Sequence, residues 1–207
     1  MKKITQRFID LVLSVYLYNE WRGYVQMEGM LIPQLEAKPD IDPNFLAAVK
    51  KHCADEKKHY GMFKGWFFAN GRMPFEVGKS IGYFDALTRV LIGKKNAEKT
   101  VLDDKTFAKL CRAIVLTEYR GINQVGTMLK WRSIKRDERL HRIFQVIEQD
   151  EPSHFIPYSK WLKEKGHRSP SVMEKVADFI VHYSIASLVI PVHFLNFRLK
   201  RIEQFAA

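Results

Sequence analysis

Thiols are scarce in this chain. Only Cys53 and Cys111 occur among 207 residues, and they form no C-x-x-C pair. That excludes a rubredoxin-type iron site and a zinc ribbon, and both cysteines read as buried free thiols of a reducing compartment. A secretory leader is not evident either. Arg7 and Asp10 interrupt the apolar stretch after Met1-Lys2-Lys3, and no small-residue cleavage site follows, so a cytoplasmic location is expected. No low-complexity tract and no flavin or iron–sulfur motif is present. Acidic side chains are outnumbered, 23 against 34 basic, and the resulting formal charge of +11 suggests an anionic partner. An anionic lipid, an acidic carrier protein and nucleic acid all carry that charge, and a solvated basic surface explains it as well. Charge-free stretches are rare too. One spans Phe179 to Phe197, long enough for a membrane span, although His182, Pro191, His193 and Asn196 suit hydrocarbon poorly. It reads as an apolar helix packed along the rest of the protein and able to line a tunnel. The basic tail Arg198, Lys200 and Arg201 leaves shallow, peripheral membrane attachment open.

What the chain does contain is helical periodicity. Apolar residues recur at helical spacing over 4–31, through Ile4, Phe8, Leu11, Val12 and Val15, before Pro33, Pro39 and Pro43 mark a loop. A second helix is predicted from Pro43 to Ala69, capped by Asp42 and stopped at Asn70-Gly71. A shorter helix over 75–92 lies in the connection between the two halves, followed by a charged loop from Gly93 to Asp104. Further helices are expected over 104–130, 134–165 and 171–205. The chain therefore reads as a single all-α domain over 1–207. Its core is 4–165, its long crossover contains a short helix, and a fifth helix is appended.

One short word occurs twice, each time after a lone glutamate. Asp55-Glu56-Lys57-Lys58-His59 follows Glu28, and Asp150-Glu151-Pro152-Ser153-His154 follows Glu118. A carboxylate and an imidazole three residues apart share one helix face. Two such pairs and two further glutamates give four carboxylates and two imidazoles, a donor set suited to iron or manganese.

In order and approximate spacing, these six residues resemble the ferritin-like di-iron carboxylate proteins, over about 4–165. The resemblance implies a ferritin-like four-helix bundle and two metal ions, both iron or one iron and one manganese. Glu56 and Glu151 would bridge the metals, Glu28 and Glu118 would bind one each, and His59 and His154 would complete the set. Pro152 departs from the family's second motif, and with Pro157 predicts a kinked helix at the site.

Neighbouring residues extend this reading. A residue just before a helical glutamate points toward the adjacent helix, so Asp55 is expected to accept the ring N–H of His154, and Asp150 that of His59. Gly121 lies one turn after Glu118, and Gly23, Gly29, Gly61 and Gly65 flank other ligands. Missing side chains there would leave room for dioxygen or substrate, or permit close helix packing. Tyr24, one turn before Glu28, is a candidate redox tyrosine or a core residue. His52, one turn before Glu56, is a candidate extra ligand, although a place on the surface or beside the cluster is favoured. Lys130, Arg132, Lys135, Arg136, Arg139 and Arg142 form a basic cluster, but no nucleic-acid-binding fold accompanies it, so nucleic acid is not favoured.

The resemblance implies a di-iron oxidase or oxygenase, acting with dioxygen or peroxide on a small, lipid-like or carrier-bound organic substrate. An external electron donor is required, and a homodimer is compatible. The alternative within the resemblance is iron handling, as a ferroxidase or rubrerythrin-like peroxidase without an organic pocket. A non-enzymatic, metal-free helical docking protein is the third reading.

Overall fold

The computed structural model describes residues 2–78, 81–93 and 103–205. These are helical, with no strand among them; one isolated β-bridge joins Phe75 to Arg201. The helices are α1 (Lys2–Gln26), α2 (Pro43–Ala69), α3 (Tyr83–Ile92), α4 (Asp104–Met128), α5 (Arg132–Arg136), α6 (Glu138–Glu164) and α7 (Val172–Ser184). Two of them run on through a π-helical turn. Met27–Leu31 joins α1 to the α-helical Ile32–Glu36, and Ile185–Val189 joins α7 to Ile190–Leu195.

The four long helices pack side by side, α1 on α2, α2 on α6 and α6 on α4. Each contributes a stripe spaced by three or four residues. On α1 it is Leu13, Leu17, Glu20, Tyr24, Met27 and Leu31, all buried. On α6 it is Phe144, Ile147, Glu151, His154, Tyr158 and Trp161, also buried. The ends of each stripe are apolar, and each buried aromatic or aliphatic side chain contributes about 1.5–3 kcal/mol. The middle of each stripe is polar, so the bundle-like core has a charged waist between two apolar ends. The short α3 lies against α4 and α7 and touches α1, where Arg22 pairs with Asp85 at 2.9 Å.

Helix ends follow local chemistry. Asp42 accepts from Asn44 N at 2.9 Å, Asp103 from Thr106 N at 2.9 Å and Asp137 from Leu140 N at 2.9 Å. Ser171 and Glu174 form a reciprocal capping box. Gly71 and Gly166, at φ 60° and 70°, stop α2 and α6 in the left-handed region that glycine tolerates.

Three expectations about elements need correction. The first rod does not stop before Pro33. A π turn precedes this proline, which sits in the first turn of Ile32–Glu36, where its missing N–H costs least. The crossover helix begins at Tyr83, and 75–78 is not helical: Phe75 N donates to Ser14 Oγ at 2.8 Å and Glu76 N to Lys200 O at 2.9 Å. The final helix ends at Leu195 rather than 205. The tail folds back instead, with Ile202 N donating to Pro74 O at 3.0 Å and Arg201 Nη2 to Asp10 Oδ2 at 2.6 Å. Helix α6 is continuous through Pro152 and Pro157. Of the charged loop expected over Gly93–Asp104, residues 94–102 lie outside the described residues.

Candidate metal centre

The charged waist is assembled from one turn of each long helix. His59 Nδ1 lies 3.2 Å from Glu20 Oε2. His154 Nδ1 lies 3.6 Å from both Glu56 Oε1 and Glu118 Oε2, and 3.9 Å from Glu151 Oε2. His52 Nε2 lies 3.5 Å from Glu56 Oε1 and 3.7 Å from Glu118 Oε2. Its ring stacks on that of His154 with centroids 4.1 Å apart, and its Nδ1 is 3.2 Å from the Tyr158 hydroxyl. Two groups of donors are each close enough to surround one ion, with all ligand atoms within 4.8 Å of one another. One is His52, Glu56, Glu118 and His154; the other is Glu20, Glu56 and His59. Glu56 belongs to both.

The imidazoles are held from behind. His59 Nε2 is 2.9 Å from Asp150 Oδ2, and His154 Nε2 is 3.4 Å from Asp55 Oδ2. This is the crossed pairing expected from the helix geometry. With Nε2 held by an aspartate, each ring turns Nδ1 into the cluster. Lys58 Nζ spans the two aspartates, at 3.0 Å from Asp55 Oδ1 and 2.6 Å from Asp150 Oδ2. Lys51 adds a contact to Asp55 at 2.5 Å. Burial opposes the charge on both aspartates, but these lysines outweigh it and hold both carboxyls below the ordinary range.

Inside the cluster the balance reverses. Burial, then the neighbouring glutamates, lifts Glu56 and Glu151 well above ordinary carboxyl values. Burial disfavours charge on Glu118 as well, but His52 and His154 hold its carboxyl below the usual range. Burial lowers His52 to about 3, against the opposing pull of Glu118. Burial also opposes charge on His59, yet the bonds to Glu20 and Asp150 raise it.

Whether these residues suit metal can be tested on their own unsatisfied atoms. Glu151 Oε2, His52 Nε2 and His154 Nδ1 are buried without a hydrogen-bond partner; His52 and His154 share one donor group, and Glu151, expected to bridge, belongs to neither group but lies 3.9 Å from His154 Nδ1. A buried, unpartnered lone pair costs about 1–3 kcal/mol. Three of them converging among four carboxylates fit coordination of a divalent cation pair.

A cavity of about 180 Å³ adjoins the cluster. It lies between α1 and α4, and its wall includes Glu20, Glu56, Glu118 and Glu151 together with Leu110, Ile114 and Val125. His182, Ile185, Ala186 and Ile190 of the C-terminal helix also line it. Both π turns contribute, through Met27, Met30 and Leu31 on one side and Ile185 and Ala186 on the other. Glycines admit the carboxylates: a Cβ on Gly23 would stand 2.7 Å from Glu56 Oε2, and one on Gly121 3.1 Å from Glu151 Oε1. Comparison with protein-family models, with curated proteins and with solved structures finds no match for this chain.

The geometry corrects several expected residues. Glu28 is not in the cluster. Its side chain is 58% exposed and lies 3.4 Å from Lys57 Nζ on the surface. Glu20 stands in its place, because residue 20 falls on the buried stripe of α1 and residue 28 does not. The same eight-residue offset moves the tyrosine: Tyr24 packs on Tyr60, ring centroids 5.6 Å apart, while Tyr16, one turn before Glu20, lines the cavity. Burial, then Glu20 and Glu151, raises the Tyr16 hydroxyl and keeps it protonated. Gly29 and Gly61 face open space, and Gly65 faces Arg139, so none of the three shapes the cavity. His52, expected beside the cluster, aims a ring nitrogen into it. Both thiols are buried as expected, and burial raises them, so they are inert here.

Proposed function

We propose that the chain is a ferritin-like di-iron oxidase or oxygenase acting on an apolar organic substrate. The observation that carries this reading is the apolar cavity whose floor is the His and carboxylate cluster. Iron handling needs the ligands but not an organic pocket beside them. The four long helices and their Asp-Glu-x-x-His words support the likeness to that bundle family.

By position, Glu20, Glu56 and His59 would hold one ion, and His52, Glu118 and His154 the other. Glu56 would be shared between them, and Glu151, in neither donor group, stands 3.9 Å from His154 Nδ1. Four carboxylates offset the charge of two divalent cations, so the filled centre is near neutral where the protein alone must retain protons. Two ferrous ions bound there would supply reduction of dioxygen. The overall reaction would place one oxygen atom in the substrate and release the other as water, using two electrons and two protons from an external donor.

The chain's own residues do the rest. Asp55 and Asp150 hold His154 and His59 in the tautomer that presents Nδ1. Tyr158 accepts Nδ1–H of His52, leaving its Nε2 for the cluster. Leu110, Ile114 and Val125 exclude water and select a lipophilic molecule. Tyr16 supplies a neutral hydroxyl at the cavity wall.

Metal analysis of protein purified from cells grown with iron tests this reading, combined with mass spectrometry of co-purified small molecules. About two iron ions per chain and an apolar molecule released on denaturation are expected. Protein that takes up no iron from anaerobic ferrous solution overturns it. Iron uptake with rapid oxidation, but no displacement by any apolar ligand, points instead to a ferroxidase.

A further inference from the structure

The C-terminal helix is amphipathic in the wrong direction for a soluble protein. The inward face of its first half is polar, while Ile185, Val189, Ile190 and Phe194 of its second half pack on Leu11, Phe75 and Ile81. Glu174 Oε1 accepts from Arg112 Nε at 2.9 Å, Asp178 pairs with Arg120, and His182 Nδ1 is 3.0 Å from Gln124 Nε2. Its outward face is apolar: Val176, Phe179, Tyr183, Leu188, Val192 and Leu195 are all exposed. Val172–Leu195 is long and apolar enough to cross a membrane, and only 6% of its most apolar window is buried. A stripe of that length is about 36 Å long, and contiguous exposed apolar surface of this kind marks an interaction site.

Three classes of surface would cover it: a bilayer, a second copy of this chain or another protein. Charge decides between the first two. Both acids of the helix face inward and are paired, while Lys175 at one end and Arg198 and Lys200 at the other are exposed. Two such faces would bring like charges together at both ends, whereas an anionic surface complements them. Crossing the bilayer would strip Glu174, Asp178 and His182 from their partners on α4. Lying in the plane of the interface keeps every one of them.

We infer that the outer face of Val172–Leu195 docks in the headgroup region of an anionic lipid bilayer. The opposite face of this helix lines the cavity, so a lipid-dissolved molecule would need to pass only this one element to reach it. The docking surface does not depend on metal in the centre.

The full chain would be mixed with vesicles of phosphatidylcholine alone and of phosphatidylcholine with phosphatidylglycerol, and binding read by flotation. Binding to the anionic vesicles is expected, falling as salt rises. The double variant Phe179→Ser, Leu188→Ser changes two exposed residues and should keep its melting temperature and iron content. It should lose at least about tenfold of the binding. Ile156→Ser, an exposed site on α6, should leave binding unchanged. Absence of vesicle binding, or equal binding by the double variant, overturns the proposal. So does a dimer in equilibrium sedimentation that the double variant dissociates while vesicles go unbound, since the occupant is then a second copy. Any of these results leaves the iron content, and hence the reading of the centre, standing.

Discussion

Gly23 lacks a side chain at the point where Glu56 enters the cluster, and a Cβ there would stand 2.7 Å from its carboxylate. The obstructed atom is the end of a flexible chain, so Gly23→Ala should fold. Replacing glycine within a helix stabilises it by about 0.5–1 kcal/mol. Iron affinity should nevertheless fall by more than about tenfold, because the shared carboxylate is pushed aside. Thermal melts and metal titration on one preparation check both halves. A second test separates the two glutamates of α1. Glu20→Gln should cost more than about tenfold in iron affinity, and Glu28→Gln nothing measurable. The sequence held the signal that distinguishes them. Leu13, Leu17, Glu20, Tyr24, Met27 and Leu31 form one continuous stripe, and Glu28 falls off it. Placing Glu20 in the set also separates it from Glu56 by 36 positions, close to the 33 between Glu118 and Glu151. The repeated Asp-Glu-x-x-His word was legible because it is local. His52 was not, because an isolated histidine one turn from a ligand is usually turned elsewhere, and only the packing of α6 against α2 stacks it on His154.

At the scale of the element, most helices could be read from periodicity, caps and stop signals. The misses share one cause, which is that backbone irregularity is decided by tertiary contacts. A π turn ahead of Pro33 lets the first rod continue where a proline alone predicts a loop. The tail after Leu195 leaves the helical path because Asp10 and the 74–76 segment offer it partners. The attachment of α7 gives a pH-dependent prediction. Burial opposes charge on Glu174, but the Ser171 backbone N–H and Arg112 outweigh it and hold the carboxyl below its ordinary value of 4.5. A lowered folded value means that the ion pair stabilises the docked helix fully above pH 4.5. That contribution is lost as pH falls through the lower, folded value. Hydrogen-exchange protection across 172–184, relative to the intrinsic rate at each pH, should therefore fall on acidification below this point. Glu174→Gln should exchange faster at neutral pH and show a flatter acid response.

For the molecule as a whole, the all-helical class follows directly from the sequence pattern, since no segment alternates with period two. What the pattern could not give is the inverted helix on the outside, because exposure of an apolar face is a property of the assembled chain. The charged waist also makes stability depend on what fills it. Chelation of bound iron should lower the melting temperature by at least about 5 °C, as expected when a ligand held at a hundred times its dissociation constant is removed from a chain of this size.

Lys58 ties the two halves of the centre together. Its single ammonium touches Asp55 and Asp150, each of which steadies a different imidazole. Occupancy at one position would therefore settle the geometry of the other, and loading should be cooperative. Ferrous titration should give one steep transition in the native chain. Lys58→Met should split it into two steps whose affinities differ by about fivefold or more.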